Sequence, residues 1–234
     1  MDWPDSADQL IEEQRILGDA QPEPWSPPDR TYSLAGCFVC FPRRHPGVGA
    51  RDDPSWAGAA LLSVDGSVAT VVRPGTAGSS YQAGLLALRE GPLLEAAIRG
   101  LPTRPEVLLV NATGRDHPRR AGLALHLGAL LDLPSVGVTH RPLIARGNWP
   151  EPARGAHSPL LLDGETVGYW LSTRDGARPL AVHVAWRTDS AAALEVVLRV
   201  TAGRARTPEP IRLARQAARE ARAVGGTPGR SGVS

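Results

Sequence analysis

The stretch EVLLVNATGRDHPRRAGLALHLGALLDLPSVGVT, residues 106–139, decides the fold. It opens with a short apolar run, 106–112, that is typical of a buried strand, and it closes with a second one, 135–139. Between them, residues 119–133 have apolar side chains at the spacing of an amphipathic helix. Two buried strands joined through a helix indicate an α/β protein.

Further strands and helices are predicted on both sides of this stretch. Residues 33–41 suit a buried strand, and the runs 59–64 and 67–73 flank Asp65-Gly66, a strong hairpin turn. Residues 81–99 have helical spacing, although Gly91-Pro92 is expected to kink the helix or to start a turn. Downstream we predict strands near 158–163, 166–172 and 180–186 and helices near 189–201 and 208–224. This order implies a mixed sheet flanked by helices.

The two ends of the chain differ in charge. Residues 1–30 contain eight acidic residues and two arginines and predict a short helix, 8–17, and a Pro-rich connector, 22–28. Residues 201–234 contain seven arginines and two glutamates. Four of those arginines have helical spacing, which predicts a solvated helix face or, as the alternative, a phosphate-facing stripe: Arg212, Arg215, Arg219 and Arg222. We therefore divide the chain into an acidic segment, 1–30, a domain, 31–224, and a disordered tail, 225–234.

Composition excludes several classes of protein. All 26 basic residues are arginine, so no lysine serves as a nucleophile or phosphate ligand. No apolar run reaches the roughly 20 residues that span a bilayer, and the acidic start is unlike a secretory signal, so we expect a cytoplasmic protein. Cys37 and Cys40 cannot form a disulfide framework, and on a strand they are expected to be two buried core thiols.

The densest polar cluster lies between the strand and the helix of the opening stretch. It contains Asn111, Asp116, His117, Arg119 and Arg120. Because the carboxyl end of a strand that feeds a helix is where α/β sheets bind ligands, this loop is a candidate site. A purely structural interpretation stays open, in which Pro118 starts the helix and Asp116 caps it.

The segment HPRRAGLALHLGALLDLPSVGVTHRPL (117–143) resembles the endonuclease V family, whose members carry a HPRR-x-G-x-A-x-H-x-G motif followed by a G-V-A-K strand end. LAGCFVCF (34–41), YQAGLLALRE (81–90) and TPEPIRLA (207–214) fall in register with other family segments. The resemblance covers roughly residues 8–224. It implies an RNase H-like fold, a mixed five-stranded type of sheet with helices, additional strands and a C-terminal helix.

The resemblance also implies a chemistry. Family members use Mg²⁺ to hydrolyse a phosphodiester near deoxyinosine, or near inosine in RNA. Their metal is held by a strand Asp, a helix Glu and an Asp that closes the central strand, with a Lys and a His nearby. Carboxylates of this kind hold hard cations that orient water and stabilise the leaving oxygen.

Most of those positions are substituted in this chain. The strand Asp falls on Phe38, the second Asp on Asn111, the Lys on His140, and a later family Gly-His pair on Ala185-Trp186. The positions that match are Glu90, Tyr81, Gly114, His117, Arg119, Arg120 and His126. By resemblance, the degenerate catalytic set is Glu90, Asn111 and His117, and nucleic acid would contact Tyr81, Gly114, Arg119 and Arg120.

Three hypotheses remain. The preferred one is an endonuclease V-like, nucleic-acid-binding protein in which Glu90 and Asn111 hold Mg²⁺ weakly or not at all and nuclease activity is weak or lost. The second is a working Mg²⁺-dependent endonuclease of DNA repair that acts near deoxyinosine or inosine. The third is a protein-interaction module that reuses the old cleft. Asp116 or the pair Asp52–Asp53 would be the substitute metal ligands, although a cap and a loop are the favoured roles. We expect a monomer that binds DNA or RNA and no membrane.

Overall fold

The computed structural model describes residues 2–43, 49–201 and 205–225. Five helices are present in these ranges: α1 (Ala7–Asp19), α2 (Leu86–Arg99), α3 (Leu123–Leu131), α4 (Ser190–Arg199) and α5 (Glu209–Gly225). Eight strands accompany them: β1 (Leu34–Cys40), β2 (Pro54–Leu62), β3 (Val68–Thr76), β4 (Val107–Val110), β5 (Ser135–Thr139), β6 (His157–Leu162), β7 (Glu165–Leu171) and β8 (Leu180–Val184).

The strands form one mixed sheet in the order β3-β2-β1-β4-β5-β8-β7-β6. β1, β2 and β3 are antiparallel, and the predicted turn at Asp65-Gly66 joins β2 to β3, with Gly66 at a φ of +82°. β1, β4 and β5 are parallel, and β8 returns antiparallel beside β5. The predicted α/β class with a mixed sheet is confirmed, and the sheet extends to eight strands.

Helices cover both faces of the sheet. The core on one face joins α1, α2 and α3 to residues such as Ala35, Cys37 and Val110. The core on the other face joins α4 and the start of α5 to residues such as Leu109 and Val182. α5 lies very close to β2, since a side chain on Gly58 would come within 2.3 Å of a backbone oxygen of α5. Cys37 and Cys40 are both buried, which confirms the prediction of core thiols.

Two predicted helix boundaries differ from the structure. α2 begins at Leu86, later than the predicted residue 81, and continues as one helix through Pro92, so Gly91-Pro92 does not end it. α3 begins only at Leu123, since residues 117–120 form a turn in which Arg120 has a φ of +55°. That turn belongs to the candidate site.

The acidic N-terminal segment packs against the rest of the chain. In α1, Leu10 and Leu17 are buried in the same core as α2 and α3, and Trp3 stacks on His126 at a ring-centre distance of 4.8 Å. The division at residue 30 thus remains a prediction, and residues 226–234 of the predicted tail lie outside the described residues. No helix in the described ranges is both long and apolar enough to cross a membrane.

Candidate functional site at the carboxyl edge of the sheet

The sheet brings three strand ends together at one edge. The parallel register pairs Cys37 with Val110 and Val110 with Gly137, so the pairing of β1 with β4 ends at the level where the pairing of β4 with β5 ends. Phe38, Asn111 and Thr139 follow or lie at these ends, and they are therefore neighbours although they are far apart in sequence. This is the edge at which α/β sheets bind ligands.

Glu90 lines a cavity of about 280 Å³ at this edge. The cavity also contains Cys37, Phe38, Leu94 and Asn111, so most of the lining is apolar. Burial raises the pKa of Glu90 to about 7, and the neighbouring Arg89 opposes this only in part. Near neutral pH, a substantial fraction of this carboxyl is consequently protonated.

Phe38 is flanked by cations. The guanidinium carbon of Arg215 lies 5.0 Å from the centre of the Phe38 ring, and that of Arg219 lies 5.9 Å away. Arg215 is half-buried, and its Nε–H has no hydrogen-bond partner in the described part of the chain. Burial and the charge of Arg219 lower the pKa of Arg215, but the Arg215 guanidinium remains charged near neutral pH. The predicted arginine stripe is thus only partly solvated, because Arg215 packs on this edge.

Tyr81 and Asn111 connect this cavity to a second one of about 170 Å³. The second cavity is lined by Gln14, Gly84, His117, Thr139 and other residues. Tyr81 is 48% exposed and stands at the mouth of both cavities. The side-chain amide of Asn111 donates to the Val138 carbonyl at 2.9 Å, which holds Asn111 across β4 and β5.

His117 is fully engaged within the protein. Its Nδ1 accepts from the Arg119 backbone N–H at 3.2 Å, so Nε2 carries the proton that reaches the Gly84 carbonyl at 3.0 Å. Burial lowers the pKa of His117 to about 4. The imidazole is therefore neutral, and in this arrangement it has no free lone pair for a substrate proton.

The two arginines of the 117–120 turn point to different parts of the molecule. Arg119 donates to the Gln14 side chain at 2.7 Å and to the Gly84 carbonyl at 3.0 Å, so it lies beside the second cavity. Arg120 instead pairs with Asp163 at 3.1 Å and Glu165 at 3.4 Å, at the β6–β7 hairpin. The structure therefore brings Arg119 to the cleft and does not bring Arg120 there.

Gly114 is required by close packing. A Cβ at this position would lie 2.2 Å from the Val184 carbonyl oxygen, so no other residue fits without a backbone shift. The glycine lets the loop after β4 pass directly over the end of β8. Its observed role is to position the loop that carries Asn111 and His117.

Asp116 is wholly buried and does not cap a helix, contrary to the favoured expectation. Its carboxylate accepts the backbone N–H groups of Leu143, Ile144 and Ala145 at 2.6, 3.0 and 2.7 Å. The physical reason is the late start of α3, which leaves Asp116 inside the loop instead of at a helix end. Asp116 thus anchors the segment that follows β5, residues 140–145, which we call the strap.

His183 is a buried residue of this site that sequence reasoning missed. Its Nε2 lies 2.7 Å from Thr139 Oγ1, and its Nδ1 lies 3.6 Å from Asp116 Oδ2. Burial lowers the pKa of His183, and the Asp116 charge opposes this. The only available signal was a lone histidine in an apolar strand, which does not by itself identify a partner.

The resemblance also singles out His140 and Trp186. These two residues lie at opposite ends of β5. His140 follows β5 and is exposed beside the cleft, where burial and the charges of Arg206 and Arg215 lower its pKa. The Trp186 carbonyl accepts the backbone N–H of Ser135, the first residue of β5, and the Trp186 N–H donates to the Ser135 hydroxyl, so Trp186 lies at the far end of that strand. Because β8 runs antiparallel to β5, the residues that directly follow β8 lie at the end of the sheet away from the cleft.

Asp53 forms a buried ion pair with an arginine. It pairs with the buried Arg89 guanidinium at 2.8 Å and accepts the Ala50 backbone N–H at 2.7 Å. Arg89 in turn donates to the carbonyls of Ala50 and Ser79 and lies 4.2 Å from the Phe41 ring centre. Asp53 is therefore part of a structural ion pair, while Asp52 is exposed with a φ of +64°.

Few of the described side chains at the cleft could bind a metal ion. In residues 2–43, 49–201 and 205–225, no three His, Cys, Asp or Glu side chains are grouped so that they could hold a metal ion. At the cleft itself, Glu90 supplies one carboxylate and Asn111 one amide oxygen, and Phe38 is part of the same lining. Asp116, as described above, is committed to backbone N–H groups.

Comparisons with known proteins identify the family. The endonuclease V family model matches residues 48–216. Endonuclease V of Methanothrix thermoacetophila is 36% identical over 214 residues, which cover 91% of this chain and 90% of the relative. The crystal structure of Streptomyces avermitilis endonuclease V superposes with a TM-score of 0.83 at 31% identity and covers 96% of both chains.

A third relative was solved with a nucleic acid. Endonuclease V of Ciona intestinalis, in complex with a 24mer DNA containing an inosine followed by a ribo-adenosine, has a TM-score of 0.75 at 18% identity. The match covers 94% of this chain and 99% of that one, and at this identity it concerns the fold alone. The expected RNase H-like fold is confirmed by the match to the Streptomyces structure. From the family model and the Methanothrix relative together, this chain belongs to the endonuclease V family.

Proposed function

We propose that this chain is a nucleic-acid-binding member of the endonuclease V family whose metal-dependent cleavage is weak or lost. One observation carries the proposal: among the described residues that line the central cavity Glu90 is the only carboxylate, and Phe38, in the same lining, has its ring against the Arg215 cation. The resemblance puts aspartates at positions 38 and 111, where this chain has a phenyl ring and an amide.

The residues present do not fit Mg²⁺ of the family type. Mg²⁺ gives up its water reluctantly and is usually bound through one or two carboxylates together with substrate phosphate. Among the described residues that line the cleft, Glu90 is the only carboxylate, and a pKa of about 7 leaves that group partly neutral. A guanidinium close to the same place adds repulsion toward a dication. We therefore derive no catalytic step through a metal.

Binding of nucleic acid is supported by different residues. Tyr81 is exposed at the mouth of the cleft, where its ring is available to stack on a base. Arg119, Arg215 and Arg219 surround the same edge, and guanidinium groups pair well with phosphate. Endonuclease V of Ciona intestinalis, which shares the fold, binds an inosine-containing DNA. These observations favour DNA or RNA as the ligand class.

Two assays on the full chain test the proposal. We expect binding of single-stranded DNA or RNA with an affinity that falls steeply as salt rises, because phosphate contacts release counterions. We expect little cleavage of inosine-containing DNA or RNA with Mg²⁺ or Mn²⁺. Exchanging Tyr81 for Ala should weaken binding, whereas Glu90→Gln should leave binding unchanged.

Two results would contradict the proposal in different ways. Robust cleavage that Glu90→Gln abolishes would establish the alternative, an active Mg²⁺-dependent endonuclease. Absence of any salt-dependent binding to DNA or RNA would leave the second alternative, a protein-interaction module that reuses the cleft. A well-characterised endonuclease V assayed in parallel, with the same substrates, provides the positive control.

A further inference from the structure

A third cavity continues the cleft beyond His140. It has a volume of about 600 Å³, which is in the range of small-ligand sites. Arg141, Arg178 and Arg206 contribute cations to its lining, and Trp149 and Trp170 contribute indole rings. Among the described residues that line this cavity, none is acidic. We call these five residues the Trp–Arg pocket.

The Trp–Arg pocket and the second cavity, which His117 lines, share one short stretch of the chain. Thr139 and Leu143 line the second cavity, while His140 and Pro142, between them, line the Trp–Arg pocket. Residues 139–143 thus contribute to the lining of both cavities.

The indole rings offer a surface for a flat ligand. Trp170 is buried and anchored by an Nε1–H bond to the Gly147 carbonyl at 3.1 Å. Trp149 meets it edge-on, with ring centres 6.1 Å apart, and remains 58% exposed. A large exposed aromatic ring held on a rigid support is the usual arrangement for base stacking.

The arginines of the pocket have no acidic partner among the described residues. Arg141 and Arg178 are exposed and form no ion pair with a described residue. Arg206 is half-buried, donates to the Pro179 carbonyl at 2.8 Å, and has a buried Nε–H without a partner in the described part of the chain. Burial and the charge of Arg178 lower the pKa of Arg206, as expected for cations brought together without an anion. An anionic ligand would relieve this repulsion.

We infer that the Trp–Arg pocket binds one nucleotide unit of a nucleic-acid strand, with its base on Trp149 and its phosphate on Arg178 and Arg206. The combination of unpaired guanidinium groups and an exposed indole fits a base linked to a phosphate better than it fits an acidic peptide, which supplies charge without a flat ring. The inference rests on the proposed nucleic-acid binding and extends it to a site beyond the family cleft. No metal is needed for this contact.

The test compares Trp149→Ala, Trp149→Phe and Arg178→Gln with the wild type in the full chain. The probes are a short single-stranded oligodeoxythymidine and an abasic strand of the same length. We expect Trp149→Ala to weaken oligodeoxythymidine binding about tenfold, Trp149→Phe to restore most of it, and the abasic strand to be affected less than about twofold. Arg178→Gln should reduce the slope of log affinity against log salt by about 0.7.

Arg212→Gln is the matched control, because Arg212 is exposed on α5 and its ion pair in the described part of the chain is with Glu209, one turn away. If the wild type binds and all variants bind equally well, the pocket is not a nucleotide site and the inference is overturned. If Trp149→Ala weakens binding of the oligodeoxythymidine and of the abasic strand to the same extent, the indole does not stack on a base and the inference is also wrong. If the wild type binds neither strand, the proposed function fails and the inference fails with it.

Discussion

The Arg215 guanidinium carbon lies 5.0 Å from the centre of the Phe38 ring, on the edge of the sheet where Glu90 and Asn111 also lie. A cation over an aromatic face is favourable by about 0.5–2 kcal/mol, more when the pair is desolvated. Arg215 is half-buried here, and Arg219 adds a second guanidinium 5.9 Å from the same ring. The packing of this edge is therefore organised around fixed cations.

We predict that Phe38→Asp with Asn111→Asp will not by itself create a metal site. The new carboxylate at position 38 lies within reach of Arg215 and will form an ion pair with it. Adding Arg215→Gln removes that competitor, so only the triple variant should be stabilised by Mn²⁺ or Mg²⁺. At a hundredfold excess of metal over Kd the stabilisation would be about 2.7 kcal/mol, measurable as a rise in melting temperature.

The wild type and Arg215→Gln alone serve as controls for this series. Neither has the second and third carboxylates, so neither should respond to the metal. A metal-dependent stabilisation of the double variant equal to that of the triple variant would show that Arg215 does not compete for the site. Cleavage of an inosine-containing oligonucleotide provides an independent readout.

We predict that Glu90→Gln stabilises the protein at pH 8 and has little effect at pH 4.5. The pKa of Glu90 is about 7 in the folded chain, above its ordinary value of 4.5, because burial penalises the charged form. The folded state then binds more protons than the unfolded state between these two values, so stability falls as pH rises through this window. Glutamine resembles the neutral acid and avoids that loss.

Chemical denaturation in the presence of a chelator measures this difference. Glu95→Gln is the control, since Glu95 lies on the same helix but bonds to Trp3 and Arg99 near the surface. Equal stability of wild type and Glu90→Gln at pH 8 would mean that Glu90 is ionised without penalty, as it would be in an open, solvated site.

Local patterns in the sequence predict most of this fold. The apolar runs and the Asp65-Gly66 turn give β1 to β5 and the hairpin, because their signals depend on residues close together in the chain. α3 starts later than predicted, because the 117–120 turn is held by Arg119 contacts to Gln14 and Gly84. Those contacts span long sequence separations that no local pattern contains.

The sequence likewise predicts only part of the candidate site. Resemblance points to Glu90 and Asn111, which meet at one cavity. It also points to Arg120 and Trp186, which lie elsewhere because Asp163 and the antiparallel β8 hold them away from the cleft. Asp116, His183 and the Trp–Arg pocket depend on how the strap after β5 folds back, which is a tertiary relationship.

We predict that Asp116→Asn loosens the strap after β5. The carboxylate accepts three backbone N–H groups, at Leu143, Ile144 and Ala145, and an amide would present an N–H to at least one of them. Leaving buried donors unsatisfied costs roughly 1–3 kcal/mol each. Hydrogen exchange of these three amides should accelerate, whereas the control Asp132→Asn, at an exposed aspartate, should not change them. Unchanged protection in Asp116→Asn would mean that the strap is held by other contacts.

We predict that protonation of the buried histidines lowers stability as pH drops from about 6.5 toward 4, opposite to the contribution of Glu90, and that His126→Phe removes part of this loss. His126 is fully buried, and burial lowers its pKa to about 4 from an ordinary 6.5. The unfolded chain therefore binds more protons in this window, and each such histidine contributes up to ~1.4 kcal/mol per pH unit. His117, whose pKa is also about 4, adds to the wild-type slope.

Phenylalanine preserves the stack on Trp3 and cannot be protonated, so the difference between His126→Phe and wild type should grow steadily from pH 7.5 to pH 4.5. His157→Phe is the matched control, because His157 is exposed on β6 and its replacement removes a histidine without removing a buried one. Denaturant titrations at several pH values give the slopes. Parallel pH profiles for His126→Phe and wild type would show that Glu13, whose Oε2 lies 3.4 Å from the His126 Nε2, compensates the buried charge once it forms.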